Sequence, residues 1–337
     1  MRACFCAVAI LLAAGCDEKQ APVRAGPAPS AAPVAKAVAG VHPLQAALTA
    51  FNRVALDEAA ALFTEDHVGQ VAELGREPLH GRVELLALWK GAHVALPDLQ
   101  VQPTRIIDTK RFWLLEGVLT GTQYGRILDR DGTQRKVGTQ LALFAWVAEG
   151  KIRQSFLCGN PLSVLKQIDA AAEAYQGPVA PAQPEIVTAA GNPAQVAATK
   201  QFYRDFQDGD LAAVAELLAP NVVIHAYGDG AEIRGQEAVQ KALANEHQMF
   251  DGTAAVEEAM SAGPYVVAIV RVMGTLKGNI GTQNVAGKSF NERGIDVFRF
   301  EGGRIVEWDN YRNQMDFKAQ LGIFPPPKKE GAAEARK

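Results

Sequence analysis

The chain has 337 residues, length for two domains at the usual ~100–200 residues each. Apolar residues make up 48% and charged residues 21%, which excludes disorder throughout the chain. Lys and Arg total 34 against 37 Asp and Glu, a formal charge of −3. No net basic surface exists to neutralise phosphate, so no nucleic-acid partner is expected.

Met1 and Arg2 precede an apolar run, Ala3 to Ala14. It has signal-peptide proportions and falls short of the ~20 apolar residues that span a bilayer. The run ends Leu12-Ala13-Ala14-Gly15-Cys16-Asp17, and small residues just before a cysteine resemble the bacterial lipobox. The resemblance implies that 1–15 is a cleaved signal peptide and that Cys16 is lipidated. The protein would then be held at the bacterial envelope, on the periplasmic side of the inner or outer membrane. An ordinary secretory peptide cleaved elsewhere is the alternative. Cys4 and Cys6 would leave with the peptide, and Cys158 alone would remain with no disulfide partner. Residues 16–43, rich in Ala and Pro, read as a tether.

Two periodic blocks follow, 44–170 and 195–323, separated by a linker at 171–194 with a Pro-rich stretch at Gly177 to Pro184. A tail, 324–337, ends the chain and reads as disordered. The blocks align with each other. Leu62-Phe63 matches Leu217-Leu218, Leu79-His80-Gly81-Arg82 matches Ile233-Arg234-Gly235-Gln236, and Gly150-Lys151-Ile152 matches Gly303-Arg304-Ile305. The offset drifts only from 155 to 153, as duplication with small indels would leave it.

In the second block, Phe202 and Phe206 lie four apart on a predicted helix, Ala197 to Gln207. Asp208-Gly209-Asp210 breaks it, and Asp210 is placed to cap a second helix from Leu211 to Leu218. Asn221 to Tyr227 reads as a strand, and Gly235 to His247 as a third helix. Four strands follow: Ala254 to Met260, Tyr265 to Leu276, Phe290 to Phe300 and Arg304 to Tyr311. Glu301-Gly302-Gly303 makes the last hairpin turn. This layout is α+β: two tandem cone-shaped domains, each with about three helices packed in a curved antiparallel sheet.

The Asp208-Gly209-Asp210-Leu211 break, the Ile233-Arg234-Gly235 turn and the ending Asp296 to Trp308 resemble the nuclear transport factor 2 superfamily, and within it the SnoaL-like polyketide cyclases. The likeness covers nearly all of 195–323, while 44–170 follows through the repeat. It implies a conical pocket for a small apolar molecule. It also implies acids near the end of the last strand, where this chain has Asn310 and Asn313. Asp309 is the neighbouring carboxylate, and one step along a strand moves a side chain to the opposite face. Asp309 is therefore the catalytic candidate if there is one, and His225, Tyr227, Trp308, Asn310, Tyr311 and Asn313 are the expected ligand contacts. Asp296 and Glu307 read as solvated and Asp316 as a cap. The matching end of the first block, Ile152 to Asn160, carries no acid, and Cys158 reads as a buried structural thiol.

The six His form no metal-ligand spacing with one another or with Cys, so neither a metal nor a cofactor is expected. Three functions follow in order of fit. The first is an envelope-anchored binder of a small apolar ligand without full catalytic machinery. The second is a cyclase-, isomerase- or hydrolase-type enzyme working from the second domain. The third is a non-enzymatic assembly module, and the two copies could pair within the chain as a pseudo-dimer.

Overall fold

A computed structural model describes residues 41–72, 77–109, 111–169, 177–228 and 230–324. The predicted signal peptide, Cys16, nearly all of the tether and all of the tail but Phe324 lie outside the described residues. The chain divides into two compact units, with the boundary in sequence between Ala190 and Gly191. Among the described residues no helix is long and apolar enough to cross a membrane.

The first domain opens with α1 (Pro43–Asn52), where Pro43 occupies the first turn and its missing N–H costs nothing. A capping box starts the helix: His42 Nδ1 accepts from Leu44 N, and Gln45 Oε1 accepts from His42 N. Next come α2 (Leu56–Ala60), β1 (Phe63–Val71), β2 (Leu79–His80) and α3 (Gly81–Ala95). Leu85, Leu88 and Ala92 bury one stripe of α3. The strands β3 (Gln100–Asp108), β4 (Phe112–Thr122), β5 (Lys136–Ala148) and β6 (Lys151–Gly159) form an antiparallel meander, and α4 (Pro161–Asp169) follows. The sheet order is β2-β1-β6-β5-β4-β3-β7, with β1 beside β6 in parallel. Strand β7 (Glu185–Val187) lies in the segment 171–194 expected as linker, just after its Pro-rich stretch. It pairs with β3, and Glu185 accepts from Arg105 Nε at 3.1 Å.

The second domain repeats the plan. It contains α5 (Pro193–Asp208), α6 (Leu211–Leu217), β8 (Leu218–Ala226), β9 (Ala231–Arg234), α7 (Gln236–Met249), β10 (Phe250–Ala262) and β11 (Tyr265–Leu276). A small hairpin of β12 (Asn279–Ile280) and β13 (Gln283–Asn284) precedes β14 (Ser289–Glu301), β15 (Arg304–Tyr311) and α8 (Gln314–Gln320). The sheet order is β10-β11-β14-β15-β8-β9, antiparallel except where β8 joins β15 in parallel. Gly209 ends α5 at φ +76°, a left-handed conformation that suits glycine, and Asp210 accepts from Ala213 N to cap α6.

The predicted helices and strands of the second block all form, most of them longer than expected. Two polar residues depart from expectation. Asp296 is fully buried, because β14 turns Phe298, Phe300 and Asp296 toward the helices. The last helix is capped by Asn313, whose Oδ1 accepts from Met315 N and Asp316 N, so Asp316 sits inside the helix.

Candidate functional site: two interiors, one hollow

An apolar cavity lies in the first domain, whereas the ligand contacts are expected in the second. It measures about 140 Å³ and sits between the helices and the concave face of the sheet. Leu44 and Phe51 of α1, Leu88 and Trp89 of α3, and Leu115 and Leu143 of the meander are part of its lining. Trp89 stands edge-on to both Phe51 and Phe63, at 5.3 and 5.5 Å between ring centres. A cavity of this size has room for a molecule about as large as benzene.

Small residues hold three neighbouring strand positions here, and two of them, Gly69 and Ser155, line the cavity. Gly69 of β1 pairs with Ser155 of β6, which pairs with Ala145 of β5. The same three neighbouring places in the second sheet hold Ile224, Trp308 and Phe298. There Phe298 stacks on Trp308 at 5.2 Å, and Phe202 of α5 closes edge-on to Trp308 at 5.3 Å. Large side chains fill one interior and small ones leave the other hollow.

A polar pair sits on the cavity wall. His67 is fully buried, and its Nε2 lies 2.9 Å from Ser155 Oγ. The ring crosses over Gly69, where an added Cβ would come within 2.8 Å of His67 Cε1. Burial pushes His67 down from its ordinary 6.5 to about 4, against the weaker attraction of Asp66. The imidazole is therefore neutral near pH 7. Its Nδ1 has no hydrogen-bond partner among the described residues. Whichever tautomer it adopts, the pair keeps hydrogen-bonding capacity toward a ligand. A histidine followed two residues later by glycine on an alternating strand is the sequence signal, and the adjacent acids, Glu65 and Asp66, are not part of the cavity lining.

The second interior is closed by charge as well as by rings. Asp296 accepts from Nη1 and Nη2 of Arg312, at 3.0 and 2.9 Å, from Asn310 Nδ2 at 2.9 Å, and from the Tyr203 hydroxyl. Burial alone would lower Arg312, but attraction to Asp296 raises it above its ordinary value. Burial, reinforced by Asp296, raises the Tyr203 hydroxyl well above its own. Four donors occupy the acceptor sites of the carboxylate. In the first sheet, Leu143 and Leu157 form the pair that corresponds to Asp296 and Asn310.

The expected site residues separate onto two faces. Trp308 and Asn310 point inward, the one into the aromatic cluster and the other to Asp296. Asn313 is committed to capping α8. His225, Tyr227, Asp309 and Tyr311 lie on the opposite face of the sheet, because Val222, Ile224 and Trp308 take the inward positions of the alternating strands. His225 and Tyr227 thus do not point into the cone. Tyr227 Oη donates to Asp309 Oδ1 at 3.0 Å, and its ring lies 4.8 Å from that of Tyr311. On this face His225, Glu307 and Asp309 each offer a donor atom, all within 4.8 Å of one another, a set able to hold a metal ion. Cys158 is buried and free of disulfide.

The displaced His67 value predicts a pH dependence with a definite sign. The unfolded chain protonates this ring near 6.5 and the folded chain only near 4. The His67 contribution to stability is complete above about 6.5 and is lost as pH falls from there to about 4, on the order of 3 kcal/mol in all. NMR titration of imidazole-labelled protein, with His67→Gln to assign the signal, should give a midpoint near 4. A midpoint near 6.5 would contradict the buried neutral ring.

The family of SnoaL-like polyketide cyclases matches the chain over residues 42–168 and again over 197–321. No curated protein matches the chain. Among solved structures, a Catenulispora acidiphila protein with a ketosteroid isomerase-like fold, in complex with trimethylamine, is 21% identical, with a TM-score of 0.34. It covers 39% of this chain and 94% of its own. A putative polyketide cyclase of Xanthomonas campestris pv. campestris is 21% identical with a TM-score of 0.35, over 38% of this chain and 97% of its own. An epoxide hydrolase of M. tuberculosis is 18% identical with a TM-score of 0.33, over 38% and 90%. With both matched segments together spanning well over half of its length, the chain belongs to the SnoaL-like polyketide cyclase family, as two tandem domains.

Proposed function

We propose that this protein binds a small apolar molecule, about the size of one aromatic ring and bearing one hydrogen-bonding group, in the cavity of its first domain. The observation that carries the reading is the neutral His67–Ser155 pair on the wall of an otherwise apolar cavity of about 140 Å³. Apolar walls supply most of the affinity, and a few placed polar groups set orientation. The second domain serves as scaffold, since its interior is filled by Phe202, Phe298 and Trp308 and its inward carboxylate is saturated. Acid–base catalysis from the second domain finds no support in Asp309, which faces away from that interior.

Phenol and toluene are suitable probes. Calorimetry or ligand-detected NMR on the full chain should show both binding. His67→Leu should weaken phenol by roughly tenfold, the cost of stranding a buried hydroxyl, and leave toluene within about twofold. Ser155→Leu, which fills the cavity, should abolish binding of both. Absence of binding in the parent protein, or phenol affinity indifferent to His67→Leu, would refute the proposal.

We also propose that the protein is anchored at the envelope through lipid on Cys16, on the strength of the apolar run that precedes it. Each buried acyl methylene contributes about 0.8 kcal/mol, so more than one chain holds firmly. Cys16→Ser should move the protein from the detergent phase to the aqueous phase and remove incorporated acyl label. Unaltered partitioning would sink the idea.

A further inference from the structure

We propose that His225, Glu307 and Asp309 form a binding site for a first-row divalent cation of the Zn2+ type, on the face of the second sheet turned away from its interior. Parallel pairing of β8 with β15 builds the site. Asp309 is the register partner of His225, and Glu307 lies two residues before Asp309 on the same face. The three donor atoms lie within 4.8 Å of one another, and His225 Nε2 is 3.7 Å from Glu307 Oε1. Ligands at ~2.0–2.2 Å from one ion stand at most about 4 Å apart, so modest side-chain rotation closes the set.

The surroundings hold each donor as a metal site requires. Glu232 Oε2 stands 3.4 Å from His225 Nδ1, which leaves Nε2 for the ion. This carboxylate–imidazole–metal order fixes ring and tautomer in many metalloproteins. Glu307 divides its oxygens: Oε2 accepts from Arg299 Nε at 2.8 Å, and Oε1 faces His225. Tyr227 Oη donates to Asp309 Oδ1 at 3.0 Å and steadies that carboxylate at the buried floor. The side chains of His225 and Glu307 are 25% and 24% exposed, enough to admit an ion from solvent.

The donor set selects the ion. Two carboxylates balance a dication, and the imidazole favours zinc-like metals over magnesium or calcium. Three protein ligands leave a fourth position for water or an anion. In the first sheet the corresponding places hold Gln70, Gln154 and Phe156, which are not ligands of this kind. The site is thus peculiar to the second copy, and it is independent of the ligand cavity in the first.

The test is calorimetric titration of chelator-treated full-length protein with ZnCl2, alongside thermal melting with and without zinc. The parent protein should bind a tight zinc ion and melt higher in its presence. His225→Gln should remove that event and the gain in melting temperature. Glu232→Gln, which leaves all three ligands intact, should weaken binding by roughly 10–100-fold. Asp309→Asn should behave like His225→Gln, and since Asp309 is buried, the partly exposed His225 carries the test if that variant does not fold. No zinc uptake by the parent protein, or the same isotherm in His225→Gln, would overturn the proposal.

Discussion

A protein interior must be filled, and in each of these two domains the filling is decided where three neighbouring strands meet. Ile224, Trp308 and Phe298 occupy those places in the second sheet, and their rings close against Phe202. Gly69, Ser155 and Ala145 occupy them in the first. Interiors pack near crystal density, and a void forfeits both dispersion contacts and burial. A hollow that persists amid well-packed strands has a cost, and a ligand that fills it recovers that loss. One fold in two copies therefore has two different interiors on sheets whose shared strands run in the same order.

The buried polar groups follow the same division. The hollow domain keeps its cavity wall uncharged: His67 is held neutral by burial, and Leu143 and Leu157 stand where the other copy places Asp296 and Asn310. The filled domain encloses an ion pair instead. Asp296 and Arg312 are tolerable there only because Tyr203 and Asn310 complete the acceptor sites of the carboxylate. Removing one partner of such a pair typically costs about 3–5 kcal/mol. The pair thus fixes β14 against β15 and α5, and it fits a framework better than a reaction centre.

The α+β layout, the duplication and the helix break at Gly209 and Asp210 were legible in the sequence, because they rest on local periodicity and turn chemistry. Period-2 alternation also separated Asp309 from Asn310. The absolute facing of β8 was not legible, since His225 with Tyr227 and Val222 with Ile224 are both plausible inward sets until a partner helix is known. Asp296 looked solvated because Arg312 and Tyr203, which make its burial possible, lie 16 and 93 residues away. The cavity was hidden for a related reason: Gly69, Ala145 and Ser155 come together only through strand register. His225 and Asp309, 84 residues apart in number, likewise meet only through parallel pairing.

The first domain encloses an apolar cavity, and aromatic rings pack the interior of the second. Xenon occupies dry apolar cavities of this size with little selectivity. A crystal structure of the protein under xenon pressure should show xenon in the first domain, beside His67 and Ser155, and none among Phe202, Phe298 and Trp308. Xenon between those rings, or an empty first domain, would contradict the account.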